Sequence, residues 1–214
     1  MRFADITARL ADLPVPLPAP DDVLMPVVVD GSERTPSRRF PPEGRGRPAA
    51  ILVLVYPDDA GIARVALIER TTADGQHHSG EVSFPGGKTE PDDEDDVATA
   101  LREAAEEIGL DPEAAGVHVL GRLDRFWIPV SDFSVTPIVA IADRRPTMTP
   151  SPAEVVRIVE PELALFLPDA PIEIVERTVR EWPLRYGAYA VDGLSVWGAT
   201  ARVLSQLGAI LADA

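Results

Sequence analysis

Three glutamates stand close together in the segment 92–110, whose apolar residues recur at helical spacing. Glu103 and Glu107 are one helical turn apart, and Glu106 lies within the same arc because each residue turns the helix by about 100°. Gly109 is predicted to end the helix, so the carboxylates occupy its last turns, where the helix dipole disfavours anions. The three carboxylates are electrostatically unfavourable by themselves and require a positively charged partner.

A divalent cation is the partner that best suits these carboxylates. Mg²⁺ is held in proteins by a few carboxylates together with water and substrate phosphates. Gly86 and Gly87, which precede the helix, permit positive φ and a close approach of backbone to ligand. A strand, a glycine turn and an acidic helix together favour a metal–phosphate site. A solvated acidic face is the alternative for the glutamates taken alone, and Arg102 could pair with them or orient the loop.

The start of this helix is also acidic. We expect it to begin near Asp92 or Asp93, because Asp is a favoured N-cap residue. The acids at 94–96 lie where the dipole favours anions, so capping explains them without a function, and an auxiliary metal role is the alternative. The residues predicted to face the core are Val97, Leu101, Ala104, Ala105 and Ile108.

Strand-like segments surround the helix. Residues 49–57 form a near-continuous apolar run, and 63–70 alternate, so the two predict a hairpin. Segment 151–167 opens with a helix start signal. The other predicted strands are 116–128, 133–143, 172–184 and a short one after 188, and a terminal helix carries Ala199, Val203, Leu207 and Ile210. These elements predict a mixed sheet with helices packed on it, an α/β or α+β layered domain.

Residues 1–48 differ from the rest in composition. The stretches "PVPLPAP" and "PPEGRGRP" are rich in proline and glycine, and a short helix is predicted over 3–13. We interpret 1–48 as an N-terminal proline-rich arm laid over a main domain, 49–214.

Composition narrows the function classes. The 214 residues include 35 acidic and 20 basic ones and no cysteine, with a net charge of -15. Such a charge disfavours binding to nucleic acid and to anionic membranes, because both need Lys and Arg. No signal-peptide core or long apolar run occurs, so we expect a soluble cytoplasmic protein. An anionic substrate would require a metal ion or local arginines.

The acidic helix and its glycines resemble the Nudix box. The matching residues are Gly87, Glu94 and the run Arg102-Glu103-Ala104-Ala105-Glu106-Glu107-Ile108-Gly109-Leu110. Six residues separate Gly87 from Glu94, one more than in the family pattern, so either Asp93 or Glu94 takes the first acidic position. This expansion resembles the coenzyme A pyrophosphatase branch of Nudix hydrolases.

A second stretch, 66–88, is similar to the signature of that branch. The matching residues are Arg70, His78, Gly80, Phe84, Pro85, Gly86 and Gly87. Gln76 departs from it, since the signature often has Arg there. The C-terminal "SVWGATARVL" is also similar, so the resemblance covers about 49–207.

The resemblance implies a Nudix-type α/β/α sandwich and a pyrophosphohydrolase acting on acid anhydrides. Coenzyme A or its derivatives would be cut to 3′,5′-ADP and phosphopantetheine. Mg²⁺ or Mn²⁺ would be held by Glu103, Glu106 and Glu107, and Arg102 would orient the cluster. Glu106, Glu107 or an outside residue would take the proton. The residues expected to bind substrate are Arg70, His78, Gly86 and Gly87.

Two alternatives stay open. The enzyme could act on another nucleoside diphosphate linked to a further group, such as ADP-ribose or NADH, or on a nucleoside triphosphate. The chain could also be a non-catalytic nucleotide-binding regulator, although the intact glutamates argue against this. In either case the partner is a small molecule, and a homodimer is compatible with the sequence.

Other residues could contribute to the site. His77 and His78 suit acid–base chemistry or phosphate binding, with an exposed loop as the alternative. The aromatic residues of "RFWIP" (125–129) could stack on adenine, although strand aromatics more often belong to the core. Glu154, in a loop or helix start, could serve as the base, as a loop glutamate does in some Nudix enzymes.

Overall fold

The computed structural model describes residues 1–29, 45–71, 81–179 and 182–212. Within these ranges the helices are α1 (Phe3–Ala11), α2 (Asp96–Ile108), α3 (Pro112–Ala115) and α4 (Gly198–Ala212). The strands are β1 (Val27–Val28), β2 (Arg47–Pro57), β3 (Ala63–Val65), β4 (Leu67–Arg70), β5 (Val82–Ser83), β6 (Gly86–Lys88), β7 (Val117–Arg122), β8 (Phe126–Ile128), β9 (Phe133–Ala142), β10 (Val155–Val159), β11 (Glu173–Val179), β12 (Trp182–Val191) and β13 (Leu194–Trp197).

The largest sheet is built on two apolar strands. Its order is β3-β2-β9-β7, with β6 also paired to β2 and β8 to β9. Strands β2 and β9 run parallel, with Arg47 opposite Phe133 and Val55 opposite Ile141. Their other partners in this sheet run antiparallel, so the sheet is mixed.

Helices cover both faces of this sheet. On one face Ala104 and Ile108 of α2 pack with Leu54 of β2 in one hydrophobic cluster. On the other face Leu207 of α4 packs with Val53, since side chains on a strand alternate between faces. The predicted α/β/α sandwich around a mixed sheet is confirmed.

Two smaller antiparallel sheets flank the sandwich. One has the order β10-β4-β5, and the other has the order β1-β12-β11, with β13 paired to β12. The strand predicted over 63–70 divides at Ala66. As a result β3 pairs with β2, whereas β4 belongs to the three-stranded sheet. The hairpin prediction therefore holds only for β3.

Segment 151–167 does not form the helix that its start signal favoured. It forms β10 and a short 3-10 helix, Leu163–Phe166. Val155 and Val159 are buried, and β10 pairs along β4. Burial of β-branched residues against a neighbouring strand outweighs the local helix signal.

The N-terminal segment packs on α4. The helix expected over 3–13 is present as α1, and its Ile6 and Leu10 are fully buried. The Gln206 side-chain amide donates to the Pro18 carbonyl at 2.9 Å. Residues 30–44 of the predicted arm lie outside the described residues, and the division at residue 48 stays a prediction. None of the described helices is long and apolar enough to cross a bilayer.

Candidate functional site

Helix α2 begins later than its sequence predicted, and of the five residues predicted to face the core only Ala105 is exposed. Asp95 is the N-cap, with its carboxylate accepting from the Ala98 N–H at 2.8 Å. Ala105 is exposed, whereas the Glu107 side chain is only 1% exposed. The predicted end is confirmed, since Gly109 adopts the left-handed conformation with φ of 62°.

The buried Glu107 carboxylate has two hydrogen-bond donors. One oxygen accepts from Arg70 Nη1 at 2.7 Å, and the other accepts from the Gly86 N–H at 2.9 Å. Burial raises the pKa of Glu107 to about 7, although Arg70 and the Gly86 N–H both favour its ionised form. Strands β4 and β6 and helix α2 thus meet at one carboxylate.

The two glycines of β6 are required by close contacts. A Cβ at Gly87 would lie 2.6 Å from the Glu103 carboxylate. A Cβ at Gly86, which has φ of 151°, would lie 2.4 Å from the Ala50 carbonyl oxygen. Gly87 therefore makes room for Glu103, while Gly86 makes room for the neighbouring strand.

Arg102 ties the loop after β6 to the helix. Its guanidinium donates to both Asp93 oxygens at 3.0 and 3.1 Å and to the Lys88 carbonyl at 3.0 Å. It also donates to Glu103 at 3.0 Å and to Glu106 at 3.3 Å. Arg102 thus pairs with the cluster and orients the loop at the same time.

Asp93, rather than Glu94, is the acid that engages Arg102. Its carboxylate also accepts from the Thr99 hydroxyl at 2.9 Å and the Glu90 N–H at 2.8 Å. The Arg102 hydrogen bonds hold the pKa of Asp93 well below its usual range. Asp93 is the residue reached by counting forward from Gly87. In the expanded box it is therefore this position that makes the contacts with Arg102.

The three predicted metal ligands do not converge as the sequence suggested. Glu107 faces Arg70, Glu103 lies between Arg102 and Gly87, and Glu106 is 59% exposed beside Arg102. Across the described ranges, no group of three His, Asp or Glu side chains is placed to hold a metal ion. In this conformation each carboxylate contacts an arginine, and the assignment of the three glutamates as metal ligands stays a prediction.

The donor chemistry nevertheless fits a divalent cation. The Glu103 and Glu107 side chains, 13% and 1% exposed, lie one helical turn apart beside the glycine backbone. Burial raises the pKa of Glu103 as it does that of Glu107, so both carboxylates gain from added positive charge. Carboxylate oxygens are the ligands that Mg²⁺ and Mn²⁺ prefer.

Tertiary packing brings Glu154 to this site. The Ser151 N–H donates to the Glu107 carbonyl at 2.8 Å, which anchors the segment before β10 on the end of α2. Glu154 is 51% exposed, and one of its carboxylate oxygens lies 3.9 Å from Arg70 Nη2. Its charge also contributes to the raised pKa of Glu103. A half-exposed carboxylate therefore stands next to the buried ones.

The structure bears on only some of the remaining candidates. His77, His78 and Gln76 lie outside the described residues. Phe126 is 5% exposed in the core, and the Trp127 indole N–H donates to Asp132 at 3.0 Å. Of the "RFWIP" aromatics, Phe126 thus matches the core interpretation.

Two residues of the site were not predicted from the sequence. The Lys88 carbonyl accepts from Arg102, and a backbone carbonyl carries no sequence signal. The Thr99 hydroxyl contacts Asp93 from inside α2. Threonine is a weak helix former, so a threonine inside an acidic helix was a sequence signal for a side chain with a role other than helix formation.

Known proteins resemble the chain in sequence and in structure. The NUDIX domain model matches residues 46–180. Nudix hydrolase 15, mitochondrial, of Arabidopsis thaliana is 35% identical over 184 residues, which are 82% of this chain and 62% of that protein. The uncharacterized Nudix hydrolase NudL of Pectobacterium atrosepticum is 33% identical over 183 residues, which are 80% of this chain and 86% of that protein.

The lengths differ between the chain and its plant relatives. The chain spans less than two thirds of Nudix hydrolase 15 and 56% of Nudix hydrolase 22, chloroplastic, of the same plant. Among solved structures, the Nudix hydrolase RenU from M. smegmatis matches with a TM-score of 0.53 and 20% identity, over 78% of this chain and 86% of that one. The family model, the relatives and the fold agree: the chain belongs to the Nudix family.

Proposed function

We propose that the protein is a metal-dependent pyrophosphohydrolase that cleaves coenzyme A or its derivatives to 3′,5′-ADP and phosphopantetheine. The observation that carries the hydrolase assignment is the buried Glu107 carboxylate, held by Arg70 at 2.7 Å and the Gly86 N–H at 2.9 Å beside Glu103. The coenzyme A assignment is supported by the resemblance of residues 66–88 to the signature of that branch.

Glu103 and Glu107, with Glu106 at the rim, would hold Mg²⁺ or Mn²⁺. A bound divalent cation neutralises diphosphate charge and lowers the pKa of a coordinated water. Arg102 acts as a positioning residue, because its guanidinium donates hydrogen bonds to Glu103 and Glu106 and also to Asp93. The glycine backbone of β6 lets the substrate approach the carboxylates.

Arg70 is the residue we expect to meet the substrate diphosphate. Its side chain is 22% exposed and lies between the carboxylates of Glu107 and Glu154. A guanidinium forms strong paired hydrogen bonds with phosphate oxygens. In a chain of net charge -15, a local cation of this kind is needed to offset repulsion of an anionic substrate.

In the reaction, a water oxygen forms a bond to one phosphorus of the diphosphate. The bond from that phosphorus to the bridging oxygen breaks, and the bridging oxygen leaves on the other product as a phosphate oxygen. The proton of the attacking water passes to a carboxylate: Glu106, Glu107 or, from outside the helix, Glu154. Glu154 suits this role because it is half-exposed and next to Arg70.

A second substrate class stays a candidate because of one residue. Gln76 replaces the arginine of the coenzyme A signature, so ADP-ribose, NADH or a nucleoside triphosphate could be the substrate instead. A nucleotide-binding regulator without turnover is the third possibility. Metal-dependent product formation separates it from both enzymes.

Product analysis by mass spectrometry tests the proposal. Purified protein with Mg²⁺ or Mn²⁺ is given coenzyme A, acetyl-coenzyme A, ADP-ribose, NADH and nucleoside triphosphates in parallel. We expect 3′,5′-ADP and phosphopantetheine to form fastest, and no product with chelator. Cleavage of another diphosphate alone would overturn the substrate, and no cleavage with either metal would favour the regulator.

A further inference from the structure

An aromatic pair and an arginine form a compact cluster on the four-stranded sheet. The rings of Tyr186 on β12 and Trp197 on β13 are stacked, with centroids 4.5 Å apart and planes 22° apart. The guanidinium carbon of Arg177 on β11 lies 5.3 Å from the Trp197 centroid and 6.0 Å from the Tyr186 centroid. We call these three residues the aromatic–arginine cluster.

The cluster lies beside the face of β4 and β5 that carries Arg70. Arg70 and Glu81 are opposite each other, since the Arg70 N–H donates to the Glu81 carbonyl at 3.0 Å next to the Glu69–Val82 pair. Opposite residues of antiparallel strands project to the same face. The Glu81 carboxylate is close enough to Tyr186 to add to the raised pKa that burial gives this tyrosine.

A second contact fixes the cluster next to β5. The Thr200 hydroxyl, in the first turn of α4, donates to the Val82 carbonyl at 2.9 Å. Trp197 stands three residues earlier, at the end of β13. The start of α4, and with it the end of β13, is therefore held against β5, the strand that pairs with β4.

Arg177 differs in its pairing from the arginine on the next strand. Arg185 pairs with Glu176 at 3.6 Å. Arg177 forms no ion pair with any residue that the structure describes, and its contacts are Tyr186 and Trp197. An exposed guanidinium that pairs with no carboxylate among the described residues of an acidic protein suits an anionic ligand.

The two parts of the cluster recognise different chemical groups. A partly exposed indole offers a flat face on which a nucleobase can stack, and Tyr186, 2% exposed, supports that indole from below. A guanidinium binds phosphate through charge-assisted hydrogen bonds. A base and a ribose phosphate, joined through the ribose to a diphosphate, are groups that suit an aromatic face and a guanidinium beside β5, the strand that pairs with β4.

We infer that Trp197 stacks on the adenine of the substrate and that Arg177 binds the phosphate on its ribose. This inference rests on the proposed function, because coenzyme A carries a 3′-phosphate next to its diphosphate-linked adenosine. Trp197 and Arg177 thereby select substrates with a phosphorylated adenosine over those, such as ADP-ribose, that lack the phosphate.

Calorimetric binding of 3′,5′-ADP and 5′-AMP to the full chain tests the inference. We expect wild type to bind 3′,5′-ADP about tenfold more tightly than 5′-AMP, because one charge-assisted contact is added. Arg177→Gln abolishes this difference, whereas the control Arg185→Gln, which removes the same charge from the same sheet, preserves it. Equal binding of the two nucleotides by wild type, or identical behaviour of the two variants, overturns the role of Arg177.

Trp197 is tested with a pair of variants. Trp197→Leu is expected to weaken the binding of both nucleotides by about tenfold or more. Trp197→Phe should keep most of the affinity, because any aromatic ring can stack on a base. Melting curves establish that both variants are folded. Unchanged affinity in a folded Trp197→Leu overturns the stacking role. If that variant does not fold, a folded Trp197→Phe that shows no detectable nucleotide binding overturns the role instead.

Turnover separates this inference from the proposed function. If coenzyme A and dephospho-coenzyme A are cleaved, Arg177→Gln should raise KM for the former alone and leave kcat nearly unchanged. If coenzyme A is not cleaved but the binding preference holds, the substrate assignment fails while the cluster stands. If coenzyme A is cleaved and the preference is absent, the inference fails while the proposed function stands.

Discussion

Arg70 and Glu107 form an ion pair in which the carboxylate is almost fully buried. Their nitrogen and oxygen are 2.7 Å apart, and the Glu107 side chain is 1% exposed. The arginine comes from β4 and the glutamate from α2, so the pair joins the three-stranded sheet to the central sandwich. A carboxylate held this way keeps a fixed position beside Gly86, where a metal and a diphosphate would meet.

Glu107→Gln should abolish most turnover and leave the fold intact. The amide cannot replace a metal-binding carboxylate, and its one carbonyl oxygen can accept from Arg70 or from the Gly86 N–H but cannot keep the buried ion pair. We expect kcat/KM to fall at least about 100-fold, in the range seen when a charge-stabilising group is lost, while the variant has a lower melting temperature but still unfolds in one cooperative transition. Full activity of the variant at ordinary Mg²⁺ would refute the metal assignment.

The two glycines should respond differently to alanine. Gly86→Ala places a Cβ against the Ala50 carbonyl oxygen at a φ of 151°, so the folded state should lose about 1–3 kcal/mol. Gly87→Ala instead meets the Glu103 carboxylate at 2.6 Å and should lower turnover with a smaller loss of stability. Thermal melts and steady-state kinetics on the pair check this, and equal effects of the two substitutions would contradict it.

Asp93 and Glu94 offer a matched test of the expanded box. Asp93→Asn should lower the melting temperature and turnover, because the Arg102 contacts lose a charge, whereas Glu94→Gln should behave like wild type. The folded-state pKa of Asp93 is depressed, so its stabilisation is present above the unfolded value of about 4 and is lost as pH falls further.

Melting curves over a pH series check the Asp93 prediction. The gap between wild type and Asp93→Asn should be largest near neutral pH and should narrow below about pH 4. A gap that widens on acidification would show that Asp93 acts through something other than its ionised form.

Glu154→Gln should lower kcat with little change in metal binding. Loss of a general base typically costs about 10²–10⁴ in rate. The control is Glu113→Gln, which removes a similar charge from the exposed side of α3. If kcat is unchanged in Glu154→Gln, the proton acceptor lies on α2.

Mn²⁺ should stabilise the folded protein without any substrate. A ligand that binds only the native state adds about 2.7 kcal/mol when its concentration is 100 times its Kd. We expect the melting temperature of wild type to rise with Mn²⁺ and to return with chelator. The rise should be much smaller in Glu103→Gln, and equal shifts in the two proteins would remove Glu103 from the ligand set.

The sequence by itself determined the local elements and the family. Apolar spacing and capping residues identified α2, its end at Gly109 and the strand that became β2, because these signals act within a few residues. The spacing of the glutamates and glycines resembles the Nudix box, and the family comparison confirms a Nudix domain over residues 46–180. The coenzyme A assignment is still a prediction from sequence.

Only the tertiary structure decided which of these residues meet. The break at Ala66 sends Arg70 to a second sheet, from which it buries Glu107, and packing of the segment before β10 brings Glu154 to the same place. Such contacts depend on how strands pair and helices pack over long sequence separations, and local propensities carry no information about them.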